Sequence, residues 1–188
     1  VENLIRPILV GPRALIVELA NAHNLVLDGI DIIDTDDEIA AAQRCVELCR
    51  SGAALALMKG SLHTDVLMHA VMAANGLRGA RRLSHVFVME APAYPRPLLI
   101  TDAAINIAPT VAEKADIAQN AIELAQALGI KTPHVAILSA VETINPAITS
   151  TLDAAVLCKM ADRGQIIGGV LDGPLAFDTA ISAEAAAI

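Results

Sequence analysis

The sequence contains no tryptophan and little aromatic residue of any kind, with one tyrosine and two phenylalanines among 188 residues. Its core must therefore be aliphatic, and the supply of Ala, Val, Ile and Leu suits parallel strands covered by helices. Positive charge is also scarce: Lys and Arg total 13 against 21 Asp and Glu, a formal net charge of −8. That balance disfavours nucleic acid as a partner, because phosphate backbones need clustered cations. No apolar run approaches the roughly 20 residues that span a bilayer. Val1-Glu2-Asn3-Leu4-Ile5-Arg6 has no basic, signal-like start. The expectation is a cytoplasmic chain with no membrane partner. Cysteines number only three, Cys45, Cys49 and Cys158, and an odd count excludes a complete intramolecular disulfide set. Cys45 and Cys49 share one side of a helix, as the first half of a metal site would. No second pair or nearby histidine completes a ligand set, so buried thiols and no metal are expected. Also missing are the GxSxG elbow, the GxGxxG fingerprint and paired zinc histidines, which removes support for hydrolase, dehydrogenase and zinc-enzyme readings.

What is present is a regular alternation of short apolar runs and helical patterns in a chain that is 55% hydrophobic and 18% charged. Ile8 to Val10 reads as a strand, Gly11-Pro12 as a turn and Arg13 to Ala22 as a helix. Ile30 to Ile33 is a second strand. Thr35 and Glu38 have capping-box spacing for a helix that runs to about Arg50 and stops at Gly52. Ala53 to Met58 reads as a strand buried on both faces, followed by a helix from about Thr64 to Ala74. Val86 to Met89 and Leu98 to Ile100 are expected as an antiparallel pair, separated by a segment with Pro92, Pro95 and Pro97 that is unsuited to a sheet interior. Thr110 and Glu113 form a second capping box before a long helix ending ahead of Gly129. Val135 to Leu138 is a strand, Ser150 or Thr151 caps a helix to about Arg163, Ile166 to Leu171 is a strand, and Asp178 caps a last helix. The pattern predicts an α/β chain with three α/β/α layers and a mostly parallel sheet. The lobes are drawn at residues 1–89 and 90–188.

Ligands in open α/β sheets sit beyond the carboxyl ends of strands. Lys59-Gly60-Ser61 has the character of an anion site there, with Thr64 adding a hydroxyl at a helix start, although a purely structural turn looks the same. Asp172-Gly173-Pro174 reads first as a tight turn. Asp102 and Asn106 equally well satisfy loop N–H groups or cap a turn, and Glu142, after another strand and ahead of Asn145-Pro146, also reads as a solvated loop residue.

Six blocks, in order, carry a more specific signal: Leu57-Met58-Lys59-Gly60 with Thr64, Leu83-Ser84-His85-Val86, Ile100 to Ile107, Ala140-Val141-Glu142, Lys159 to Gly164, and Asp172 to Ala176. Together they resemble the phosphate acetyl/butyryl transferase family, and Ser61-Leu62-His63-Thr64 with Tyr94-Pro95-Arg96-Pro97 is most similar to the transferase module of bifunctional enoyl-CoA hydratase/phosphate acetyltransferases. The resemblance implies an isocitrate dehydrogenase-like fold with two lobes around a cleft, and a homodimer. It also implies exchange of an acyl group, acetyl more than butyryl, between coenzyme A and inorganic phosphate, giving acyl phosphate without a bound cofactor. In that setting Lys59, Gly60, Ser61 and Thr64 suit the phosphate end, Asp102 and Asp172 the cleft wall and the catalytic role, and Arg78 and Arg163 supply further cationic charge. Relatives in such a family carry a further unit before Pro7 and a Thr-Ser-Arg motif beyond Ile188, so part of the site, including the base, is expected outside this chain. A different reading is a non-catalytic regulatory or oligomerisation module of the same fold, as in malic enzyme fusions; an acyltransferase of lipid synthesis matches the blocks less well.

Overall fold

A computed structural model describes residues 4–92 and 94–187. The chain divides into two compact units, Val1–Gly79 and Ala80–Ile188.

In the first unit, β1 (Ile8–Gly11), α1 (Arg13–Ala22), β2 (Asp31–Asp34), α2 (Glu38–Arg50) and α3 (Thr64–Met72) follow one another. β1 and β2 pair in parallel, with Ile8 opposite Asp31 and Gly11 opposite Asp34. The start of α1 has no cap from its own Pro12. Instead Asp34, at the end of β2, accepts from the Arg13 backbone N–H at 2.7 Å, so the neighbouring strand satisfies one of the orphan helix donors. Ala42 and Val46 of α2 meet Ala70 of α3 in an aliphatic cluster on which Leu57, Leu62 and Val66 pack.

Two expectations change here. The cap of α2 is Asp37, whose side chain accepts from the Ala40 N–H at 2.8 Å, and the Thr35 hydroxyl is buried without a partner. Asp37 has the extended backbone a cap requires (φ −150, ψ 175), which places its carboxylate, not the Thr35 oxygen, against the open N–H groups. The run from Ala53 to Met58 is not a strand, and Leu55 and Met58 are exposed. An apolar run becomes a strand only when another strand offers its ladder, and among the described residues no strand pairs with this run.

The second unit contains β3 (Val86–Ala91), β4 (Tyr94–Thr101), α4 (Val111–Ala127), β5 (His134–Leu138), α5 (Thr149–Asp162), β6 (Val170–Leu175) and α6 (Phe177–Ile181). β3 and β4 are antiparallel, as the sequence suggests, while β5 and β6 are parallel. The prolines at 95 and 97 lie inside β4. A two-stranded ribbon consists only of edges, where a missing N–H is tolerated. The lobe boundary drawn at residue 90 falls within β3, and the division between compact units comes at Gly79–Ala80. Ile122 of α4, Leu157 of α5 and Ile166 form the core, each at most 2% exposed, with Val135, Ile137 and Leu171 packed on them. Burying side chains of this size stabilises the fold by about 1.5–3 kcal/mol apiece. Lys114 and Asp153 tie α4 to α5 at 2.6 Å.

The capping box at Thr110 and Glu113 is present in full. Neither Ser150 nor Thr151 caps α5: the helix starts after Ile148 without a side-chain cap, and the buried Thr151 hydroxyl bonds the carbonyls of Asn145 and Ile148. Asp178 lies within α6, after an uncapped Ala176. The strand expected over Ile166 to Leu171 is displaced to Val170–Leu175, so Asp172-Gly173-Pro174 is not a turn but part of β6. Pairing runs from Ala136 opposite Asp172 to Leu138 opposite Leu175, which puts an extra residue in β6. Alternating helices and strands with parallel ladders place the chain in the α/β class.

Candidate active site

Four of the eight sequence-selected residues lie together in the first unit. Lys59, Gly60 and Ser61 form an exposed loop that leads through His63 into Thr64, the first residue of α3. The loop is shaped by its own lysine: the Lys59 ammonium donates to the carbonyls of Leu62 at 2.7 Å and Gly60 at 3.2 Å. His63 gives α3 no side-chain cap, so the first N–H groups of a nine-residue helix point outward beside this loop. Asp65 in the first turn places a negative charge at the same end. Arg78 is exposed in the same unit.

In the second unit, Asp102 follows β4 directly and is surrounded by donors. One oxygen accepts from the backbone N–H groups of Ala104 and Ile105, both at 3.0 Å, and the other accepts from the Asn106 amide. Burial works against ionisation of this carboxyl, but the Ile105 and Ala104 N–H groups, the Asn106 amide and the His85 backbone overcome it and hold the pKa below the usual range. Asp102 is thus an ionised anchor for the 102–106 loop and, with its lone pairs occupied, a weak base.

The network continues beyond residues the sequence singled out. Asn106 donates to the Leu83 carbonyl at 3.0 Å and accepts from the Arg82 guanidinium, which also pairs with Glu113 of the α4 capping box. Asn120 of α4 donates to the Arg82 carbonyl at 2.8 Å and to the Ser84 hydroxyl at 2.9 Å. Arg82 was absent from the sequence reading; its position beside Leu83-Ser84-His85 was the available signal.

Asp172 is exposed on β6, its carboxylate accepting from the Gly173 N–H at 2.8 Å. β4 and β6 belong to different sheets, so Asp102, just past the end of β4, and Asp172, on β6, are carried by separate strand pairs. Gly173 is required by a close approach: a Cβ there would lie 2.7 Å from the Ile137 carbonyl oxygen. The Cys158 thiol of α5 lies 3.8 Å from the Gly173 carbonyl, and burial first, then the charges of Asp172 and Asp162, push its pKa up. Glu142 accepts from the Thr179 hydroxyl. Arg163 is exposed just after α5. A cleft of about 430 Å³ is lined by α4 residues Asp116, Gln119 and Glu123 with Arg81, Met160 and Ile167, and none of the eight candidates lines it. The pair Arg81–Glu123 crosses its wall, so its charges are already matched. Among the described residues no group of three or more His, Cys, Asp or Glu is placed to hold a metal ion.

The family profile described as "Phosphate acetyl/butaryl transferase" matches residues 36–188. The chain belongs to the phosphate acetyl/butyryl transferase family. It is 59% identical over 187 residues to a phosphate acetyltransferase of Rhizobium meliloti, covering 99% of this chain and 59% of that protein. To a phosphate butyryltransferase of Clostridium acetobutylicum it is 44% identical over 180 residues, 95% of this chain and 60% of the relative. Among solved structures, a branched-chain phosphotransacylase from Enterococcus faecalis superposes with a TM-score of 0.76 at 29% identity, over 96% of this chain and 73% of that one. The chain thus spans about three-fifths of the length of these curated relatives. No helix among the described residues is long and apolar enough to cross a membrane.

Proposed function

We propose that the protein carrying this chain is a phosphate acetyltransferase, moving an acetyl group between the sulfur of coenzyme A and an oxygen of inorganic phosphate. The observation that carries the reading is the 59% identity, over nearly the whole chain, to a protein named for that reaction. Identity to the butyryltransferase of Clostridium acetobutylicum is lower, at 44%, which favours acetyl. In the direction of acetyl phosphate synthesis, a phosphate oxygen attacks the thioester carbonyl, the C–O bond forms, and the C–S bond breaks to release the thiolate. No metal or prosthetic group takes part in this reading. The protein must hold two anionic reactants and stabilise the oxyanion.

In this proposal the Lys59-Gly60-Ser61 loop with Thr64 receives phosphate. The open N–H groups at the start of α3 support that role, since a helix N-terminus favours an anion. Lys59 holds the loop open for those donors through its bonds to the Gly60 and Leu62 carbonyls. Within the second unit Asp172, exposed and, among the described residues, hydrogen-bonded only by the Gly173 N–H, suits ligand contact better than Asp102, whose oxygens are both engaged. Asp102 keeps its loop charged and in place, and within the second unit Arg163 offers charge for the coenzyme A phosphates. The same reading includes cytoplasmic location and a homodimer, the latter resting on family resemblance.

The test is phosphate-dependent release of free thiol from acetyl-CoA by the full-length protein, read with a thiol reagent, beside butyryl-CoA at equal concentration. Faster release from acetyl-CoA is expected. Absence of release from either thioester would overturn the enzyme reading, and faster release from butyryl-CoA the choice of acyl group.

A further inference from the structure

Cys45 and Cys49 lie one turn apart on the continuous helix α2, and both are free and half-buried instead of fully buried. Side chains at i and i+4 face the same side of a helix with Cβ atoms about 5–6 Å apart. A disulfide needs Cβ atoms only about 3.5–4.5 Å apart, so this helix holds the sulfurs too far from one another to be oxidised in place. One atom bonded to both sulfurs spans the gap, because bonds of about 2.3 Å from each sulfur bring two thiols onto a common centre without unwinding the turn. Burial first, and then Cys49 itself, push the Cys45 thiol up, so the two groups sense each other electrostatically.

The pair offers two donors and no more. Among the described residues no third His, Cys, Asp or Glu joins it as a metal cluster, which argues against a four-coordinate structural zinc. We propose that Cys45 and Cys49 form a dithiol site for a thiophilic centre satisfied by two sulfurs, with trivalent organoarsenicals as its ligand class. On capture, the arsenic–oxygen double bond is replaced by two arsenic–sulfur bonds. The two thiol protons leave with the oxygen as one water, and arsenic stays trivalent with its organic substituent in place. The proposal is independent of the acetyl-transfer reading.

The test uses the full protein treated with phenylarsine oxide and then with excess glutathione. Cys158 stands alone on α5, more than a hundred residues along the chain, and gives the single-sulfur comparison. Arg44 and Arg50 flank the pair, so trypsin releases Cys45 and Cys49 in one peptide, Cys45-Val46-Glu47-Leu48-Cys49-Arg50. That peptide should carry one phenylarsenic group in place of two hydrogens. Glutathione should remove it at least about a hundredfold more slowly than from Cys158, because the second sulfur rebinds within the same molecule. Cys45→Ser and Cys49→Ser should each abolish this resistance, with circular dichroism verifying that the helices persist. Peptide analysis of the unsubstituted protein decides the matter even if a variant misfolds. Release from the pair as fast as from Cys158, or resistance retained in either single variant, would overturn the proposal.

Discussion

Replacing Asp102 by asparagine keeps the size of the side chain and removes one charge and one acceptor. The asparagine can orient its single oxygen toward the Ala104 and Ile105 N–H groups, which lie at 3.0 Å from the carboxylate in the native loop. Its NH2 group then faces the NH2 of Asn106, donor against donor. Flipping Asn106 does not repair this, because its own oxygen accepts from the Arg82 guanidinium and would be exchanged for a second donor. One charge-assisted hydrogen bond is lost whichever way the amides turn, a cost of about 1.5–3 kcal/mol. Hydrogen exchange of the Ala104 and Ile105 amides reads that loss locally, and at roughly 1.4 kcal/mol per decade it should speed up about 10- to 100-fold. The acid limb supplies a second readout. Asp102 has a folded pKa below the ordinary carboxyl value, so its contribution is fully present above the unfolded pKa and is lost as pH falls through the folded one. The native protein should therefore lose its protection below about pH 4, while the asparagine variant starts lower and shows less of this dependence. Unchanged exchange at neutral pH would refute the donor–acceptor argument.

Gly173→Ala should lower stability by about 1–3 kcal/mol, since the added methyl group meets the Ile137 carbonyl oxygen at 2.7 Å and forces β5 and β6 apart; an unchanged urea midpoint would contradict that spacing. Thr110→Ala removes the oxygen that caps α4 and should cost about 1 kcal/mol, seen as a melting temperature lower by about 2–4 °C. Lys59→Ala should raise the KM for phosphate or lower kcat in the full-length enzyme, with stability within about 0.5 kcal/mol of the native value because the side chain is exposed. Unaltered kinetics for that variant would remove the loop from the site.

Features decided within a few residues were legible from the chain alone. The Thr110–Glu113 box is such a case: donor and acceptor are three apart, and the helix pattern after them is strong. Around α2 the same logic slipped by two positions, because Thr35, Asp36, Asp37 and Glu38 all carry capping oxygens and only backbone geometry selects among them. Partners remote in sequence were not legible. Ala53 to Met58 has the composition of a strand but no ladder, and Asp172-Gly173-Pro174 has the composition of a turn but pairs with β5. The candidate site divides in the same way. Lys59 to Thr64 is contiguous and was read as one loop, whereas the support of Asp102 joins Arg82, Asn106 and Glu113 from three separate segments.

α4 deserves to be seen as a measuring rod. At its first turn Glu113 grips Arg82, and through Asn106 fixes the loop of Asp102. Farther along, Gln119 brackets Ile167, accepting from its N–H at 2.9 Å and donating to its carbonyl at 3.1 Å, and Gln126 holds the Gly168 carbonyl at 3.0 Å. Ile167 and Gly168 stand ahead of β6, separated from its first residue by Gly169, and β6 carries Asp172. Two carboxylates on unrelated strand pairs are thereby referred to one rigid element, with their holding points spread over about 20 Å of helix at 1.5 Å per residue. A slide of α4 along its own axis would carry both reference points in the same direction by the same amount, whereas a bend at its middle would change the distance between them.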